Sequence, residues 1–169
     1  MKDVLIISAT LNNNYSLSKA LSDNLKELDM DSTIISLENY KLPIYTDHVF
    51  ETEKNDHKKT IESLTQHLVN HKGLIICGPE YNGSTHPIIN NAIAWISTST
   101  DYWRDAFKDK VALIGTSSGG PGNKFIATMK IQLEHLGCVV MPRSISANKS
   151  NPLDKESTNK ILKQFIKFL

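Results

Sequence analysis

The sequence predicts a doubly wound α/β sandwich, a parallel sheet of five strands with helices on both faces, built as one domain over residues 1–169. Three observations lead there. Apolar runs of four residues recur at Val4-Leu5-Ile6-Ile7, Leu74-Ile75-Ile76-Cys77 and Val111-Ala112-Leu113-Ile114, each ending in small or polar residues. The stretches between them carry apolar residues at helical spacing. The length of 169 residues, with 40% hydrophobic and 22% charged residues, suits one core with two covering helical layers.

The three apolar runs read as strands buried on both faces, because a parallel sheet under helices has no solvated side to fill with polar residues. Shorter β-rich segments at Thr33-Ile34-Ile35-Ser36 and Cys138-Val139-Val140-Met141 complete the five, with Pro142 ending the last. Leu17, Leu21, Leu25 and Leu28 form the stripe of a first helix, and Ile61, Leu64 and Leu68 that of a second. Ile88, Ile89, Ala92, Ile93 and Ile96 mark a third. Phe125, Ile126, Met129, Leu133 and Leu136 mark a fourth, followed by Gly137 where a helix C-cap is favoured. A fifth carries Ile161, Leu162, Phe165 and Ile166. Strand and helix alternate, so right-handed crossovers make the sheet parallel.

Lys plus Arg number 19 and Asp plus Glu 18, a net charge of +1, which excludes the electrostatic footprint of a nucleic-acid binder or a polybasic membrane anchor. Small molecules are the expected partners. Cys77 and Cys138 each sit in an apolar run and read as small buried hydrophobes, neither disulfide-bonded nor nucleophilic. Met1-Lys2-Asp3 leads straight into the first strand without the apolar core of a signal peptide, and no apolar stretch approaches the length of a membrane span. A cytoplasmic location is the resulting expectation.

A doubly wound sheet binds ligands outside the carboxyl ends of its strands, so the loops after the three strongest strands are the candidate site. The first, Ser8-Ala9-Thr10-Leu11-Asn12-Asn13-Asn14-Tyr15-Ser16-Leu17-Ser18, is rich in hydroxyls and amides and runs into a helix N-terminus, a natural phosphate site. Ser16 as a plain helix cap explains the same residues. The loop has neither a G-x-x-x-x-G-K-[ST] nor a G-x-G-x-x-G pattern, which argues against a nucleoside triphosphatase and a dinucleotide fold. Without glycine, it must hold any phosphate through hydroxyls, Asn side chains and ordinary backbone amides.

The loop after the third strand reads Gly78-Pro79-Glu80-Tyr81-Asn82-Gly83-Ser84, followed by Pro87 and Asn91-Ala92-Ile93-Ala94-Trp95; the loop after the fourth reads Thr116-Ser117-Ser118-Gly119-Gly120-Pro121-Gly122. In these segments the chain resembles the NADPH-dependent FMN reductase family of flavodoxin-like proteins, which includes quinone, chromate and azo-dye reductases. The resemblance runs over nearly the whole chain and is concentrated in Pro-Glu-Tyr-Asn-Gly-Ser. It implies a flavodoxin-like three-layer sandwich with strand order 2-1-3-4-5. It also implies FMN as cofactor, with Pro79, Glu80, Tyr81, Asn82 and Gly83 along the isoalloxazine ring and Ser117, Gly119 and Gly120 in the second ring-contacting loop. An Asn-Gly turn and a simple loop before the fourth helix are the rival readings of those two segments.

The first loop departs from the family pattern G-S-x-R-x-x-S-x-N. Ala9-Thr10 replace Gly-Ser, Asn12 stands where Arg is expected, and one residue is added before Ser16. Thr10, Asn12, Ser16, Leu17 and Ser18 are the phosphate-loop residues that the resemblance implies, without the charge-assisted contact of an arginine. The resemblance implies no catalytic acid or base. Electrons pass from NADPH or NADH to FMN and then, by a ping-pong mechanism, to a small acceptor such as a quinone, an azo compound, a metal oxyanion or free flavin. A homodimer or homotetramer is expected on the same ground.

Two rival functions are a flavodoxin-type electron carrier, whose usual acidic surface this near-neutral chain lacks, and a flavodoxin-like interaction domain that has lost its cofactor. Tyr102, Trp103 and Phe107 line the flavin opening, form a subunit contact, or pack a loop over the core. His67 and His71 are spaced i, i+4 but lack the glutamate of a zincin motif, and His71 reads as a partner for a helix C-terminal dipole; no metal is expected. His86 is a surface residue or touches a substrate.

Overall fold

The computed structural model describes residues 4–169; the amino-terminal reading of Met1-Lys2-Asp3 lies outside them. The chain runs β1 (Val4–Ser8), α1 (Asn13–Glu27), β2 (Ser32–Ser36), α2 (Asp47–Val69), β3 (Gly73–Cys77), α3 (Pro87–Ser97), β4 (Val111–Ser117), α4 (Asn123–His135), β5 (Val139–Val140), β6 (Ile145–Ala147) and α5 (Lys155–Ile166), with a 3₁₀ turn at Leu37–Asn39. All pairings are parallel, in the order β2-β1-β3-β4-β5, and β6 also pairs with β4. This is the expected flavodoxin-like topology.

The two-residue period of each strand divides the core into two layers. Leu5, Ile7, Leu74, Ile76, Ala112 and Ile114 face Leu64 and Leu68 of α2, Ile89 and Ile96 of α3, and Phe125, Met129 and Leu133 of α4. Val4, Ile6, Ile75, Val111 and Leu113 face Leu17, Leu21 and Leu25 of α1 and Ile161, Leu162 and Phe165 of α5. Each large apolar side chain buried this way contributes about 1.5–3 kcal/mol of transfer free energy. Two such layers clamp the sheet and fix the ends of its strands.

Three elements differ from the sequence reading. The expected fifth strand is split. Val139 and Val140 pair with Val111 and Ala112, the chain loops out through Pro142, and Ile145–Ala147 resume the ladder against Gly115–Ser117. Proline has no N–H to donate, so the edge ladder breaks there and reforms beyond it. Cys138 belongs to the end of α4 instead: Gly137 takes a φ of 91° and the N–H groups of Gly137 and Cys138 donate to the carbonyls of Glu134 and Leu133, a Schellman C-cap. Helix α2 starts at Asp47, well before the Ile61 stripe, because its amino half is polar and shows no apolar face.

Helix α1 starts at Asn13, so Ser16 lies inside it and is not its cap. Asn12 is the cap residue, its side chain accepting from the Asn14 N–H at 3.4 Å. The phosphate-type loop is therefore only Ala9–Asn12. His71 lies just past α2, with its ring Nδ1 2.6 Å from the carbonyl of His67 and Nε2 3.2 Å from Thr33 Oγ1, in keeping with a partner for the helix end.

Candidate functional site

Parallel strands deliver the loops after β1, β3 and β4 to one end of the sheet, and three side chains bind them together there. Asn14, 1% exposed in the first turn of α1, donates from Nδ2 to the Ser117 carbonyl at 2.9 Å, while its Oδ1 accepts from the Ser117 N–H at 2.8 Å. This double bond ties the first loop to the fourth-strand loop. Ser118 Oγ accepts from the Glu80 N–H at 2.7 Å, and the Glu80 carboxylate accepts from the Lys124 N–H at 3.0 Å. The third loop thus caps the amino terminus of α4, and the negative charge of Glu80 rests on the positive end of that helix.

The third loop turns sharply. Tyr81 and Ser84 exchange backbone hydrogen bonds of 2.9 and 3.0 Å around Asn82 and Gly83, whose φ angles are 49° and 74°. Two consecutive positive φ values make a type I′ turn, for which Asn-Gly is the favoured pair. The turn projects from the sheet end with Tyr81 half exposed, its ring centroid 5.0 Å from that of His86. His86 itself caps α3, Nδ1 accepting from the Ile88 N–H.

Across from the turn, Gly119 and Gly120 are exposed, and a Cβ at either would meet nothing within 4 Å. With Glu80 and residues 118–124 they line a cavity of about 410 Å³. A second cavity of similar volume lies on the flank of α2, between Phe50, Lys58, Ile61 and residues 98–101, and no expected site residue lines it. The cavity at the strand ends is the candidate, because doubly wound sheets bind ligands there, and of the expected residues Glu80, Gly119 and Gly120 line it.

In the first loop, Thr10 is buried and its hydroxyl donates to Asn12 Oδ1 at 2.6 Å, holding the exposed Asn12 at the head of α1. Ser16 is exposed on the next turn. The side chains of Leu17 and Ser18 turn away from the loop. Leu17 packs in the core against the sheet, and Ser18 is fully buried, its hydroxyl donating to the Asn14 carbonyl at 2.9 Å and lying within reach of Cys77. Leu17 belongs to the apolar stripe of α1, and Ser18 lies beside it on the buried face.

Cys77 closes β3 beneath these loops. Burial pushes its thiol up to about 12, against a smaller lowering by Ser18, and burial raises Cys138 to about 12 as well. Both are free and buried thiols, protonated at neutral pH, and neither is poised as a nucleophile. Tyr102, Trp103 and Phe107 do not line this opening. Helix α3 carries the chain back to the amino-terminal end of the sheet before they occur; Phe107 is core, and Trp103 packs on Arg104 and His135 there. Among the described residues no group of three or more His, Cys, Asp or Glu could hold a metal ion, and no helix is long and apolar enough to cross a membrane.

Asn14, Ser118 and Lys124 hold this candidate site together and were not singled out by sequence reasoning. Asn14 reads from sequence as one of three interchangeable asparagines, and only the fold brings Ser117 to it.

The sequence profile described as NADPH-dependent FMN reductase matches residues 2–152. The chain belongs to the NADPH-dependent FMN reductase family. Among solved structures, this family member is similar to FerB, a flavoenzyme NAD(P)H:(acceptor) oxidoreductase from Paracoccus denitrificans, with a TM-score of 0.74 and 21% identity, over 99% of this chain and 95% of that one. It is also similar to an azoreductase from Bacillus anthracis, with a TM-score of 0.66 and 13% identity, over 99% and 96% of the two chains. At such identities the likeness concerns the fold. A curated relative in Mycoplasma pneumoniae, the uncharacterized MG342 homolog, is 30% identical over 105 residues, which are 62% of this chain and 58% of that protein. The match thus spans less than two thirds of that relative.

Proposed function

We propose that this FMN reductase family member binds FMN at the carboxyl ends of β1, β3 and β4 and uses it, in the cytoplasm, to pass electrons from NADPH or NADH to a small acceptor. The observation that carries the reading is the pairing of the Asn82–Gly83 turn with the open Gly119–Gly120 edge beside the helix N-terminus of α1. A flat ring suits an edge where a Cβ at Gly119 or Gly120 would meet nothing within 4 Å, opposite a turn of two positive φ angles, and a phosphate suits the positive end of α1, whose Asn14, Tyr15 and Ser16 N–H groups are held by Asn12. The residues present therefore fit the cofactor.

In this proposal Thr10, Asn12, Ser16 and the first turn of α1 hold the phosphate end. Tyr81, Asn82 and Gly83 flank one edge of the ring, with Tyr81 adding flat apolar surface. Ser117, Gly119 and Gly120 flank the other, while Pro79 and Glu80 set the path of the third loop. Bound FMN supplies hydride acceptance and electron donation, and the protein supplies position and polarity. The half-exposed Tyr81 and exposed glycines leave room for donor and acceptor to occupy the same face in turn. Quinones, azo compounds, metal oxyanions and free flavin are the acceptor classes, and a homodimer or homotetramer is the assembly we propose.

Initial rates measured at several fixed quinone concentrations against NADPH test the shared face. Parallel double-reciprocal lines are expected; intersecting lines require both substrates to be bound together and contradict a ping-pong cycle.

A further inference from the structure

The first loop carries a negative charge of the chain's own. The backbone N–H of Leu11 donates to Glu38 Oε2 at 2.5 Å, across 27 residues of sequence. The contact follows from the topology. Strands β1 and β2 are parallel neighbours with Ser8 opposite Ser36, so the 3₁₀ turn Leu37–Asn39 emerges beside residues 9–11. Glu38 makes no ion pair among the described residues. The segment from Ser8 to Ser18 has no lysine or arginine, and the nearest cation of α1, Lys19, lies 4.8 Å from the centre of the Tyr15 ring. One N–H of the loop is thus already bonded to a carboxylate, and the loop itself supplies no positive side chain.

Resting on the flavin reading above, we propose that Glu38 is a specificity-determining residue that weakens this site for the phosphate-bearing flavin relative to the neutral one. A carboxylate bonded to this loop would repel a phosphate held there and would exert no such force on the uncharged riboflavin. The contact itself braces the loop. Charge and brace are separable, because a glutamine at this position still accepts the Leu11 N–H but carries no charge.

Quenching of flavin fluorescence by the full chain, titrated with FMN and with riboflavin, tests this in the wild type and in Glu38→Gln and Glu38→Ala at low and high salt. Glu38→Gln is expected to tighten FMN by about fivefold to tenfold at low salt, to leave riboflavin unchanged, and to lose most of its advantage at high salt as the repulsion is screened. An unchanged ratio of FMN to riboflavin affinity in Glu38→Gln overturns the proposal, as does weakening of both flavins by Glu38→Ala with neither changed by Glu38→Gln, which is the mark of a brace alone. If neither flavin binds the wild type, the flavin reading itself fails and takes this inference with it.

Discussion

Asn14→Ala is expected to lower the unfolding free energy by about 2–4 kcal/mol and to abolish retention of FMN through gel filtration. The side chain is almost fully buried and makes two hydrogen bonds of 2.9 and 2.8 Å to the carbonyl and N–H of Ser117. Alanine removes both at once and leaves Ser117 with two backbone groups unpaired in a partly buried place, each costing about 1–3 kcal/mol. The bond pair also fixes the distance between the first loop and the Gly119–Gly120 edge, so its loss separates the proposed phosphate and ring contacts. Urea unfolding gives the stability, and the absorbance of the desalted protein gives the retained flavin. A variant within about 0.5 kcal/mol of the wild type, the range of an ordinary surface change, contradicts the assignment of Asn14 as the tie between the loops.

Gly122→Val carries a second large effect, an expected loss of about 3–4 kcal/mol. Gly122 caps α4 with a φ of 68°, and a Cβ there would lie 2.7 Å from Thr116 Cγ2 and 2.9 Å from Thr116 Oγ1. Thr116 is a fully buried residue of β4 and has no space to withdraw. Left-handed strain on a β-branched residue adds to the overlap, and both act on the helix start that Glu80 caps. Gly120→Ala provides the contrast. A Cβ at Gly120 meets nothing within 4 Å, so thermal unfolding is expected to change little, and any loss of flavin binding in that variant reports occupancy of the open edge.

The sheet was legible in the sequence wherever strands are buried on both faces. Val4–Ser8, Gly73–Cys77 and Val111–Ser117 are apolar because helices cover both sides, and their loops then follow by the rule of strand ends. The edge was not legible. Two-residue β5 and three-residue β6 are too short to show a period, and Pro142 marks a break inside the edge that reads equally well as its end. Ser16 reads as a cap because a hydroxyl before the Leu17 stripe suits one, yet Asn12 caps α1 a turn earlier.

The site divides the same way. The Asn82–Gly83 turn and the Gly119–Gly120 segment are local, and their residue types reveal them. The bonds that assemble them are not local: Asn14 meets Ser117 across 103 residues, Glu80 meets Lys124 across 44, and Leu11 meets Glu38 across 27. Tyr102 and Trp103 follow α3 closely in sequence, yet a helix antiparallel to the strands returns the chain to the opposite end of the sheet. Proximity in sequence to a site loop is a poor guide in a fold whose every helix reverses direction.

Anaerobic titration of the FMN-loaded, desalted protein with NADPH and then NADH tests the central claim most directly. The absorbance of the oxidised flavin is expected to bleach rapidly and stoichiometrically, the faster nucleotide naming the donor. Protein that keeps its FMN but does not bleach with either nucleotide contradicts the reductase and leaves an electron carrier in its place.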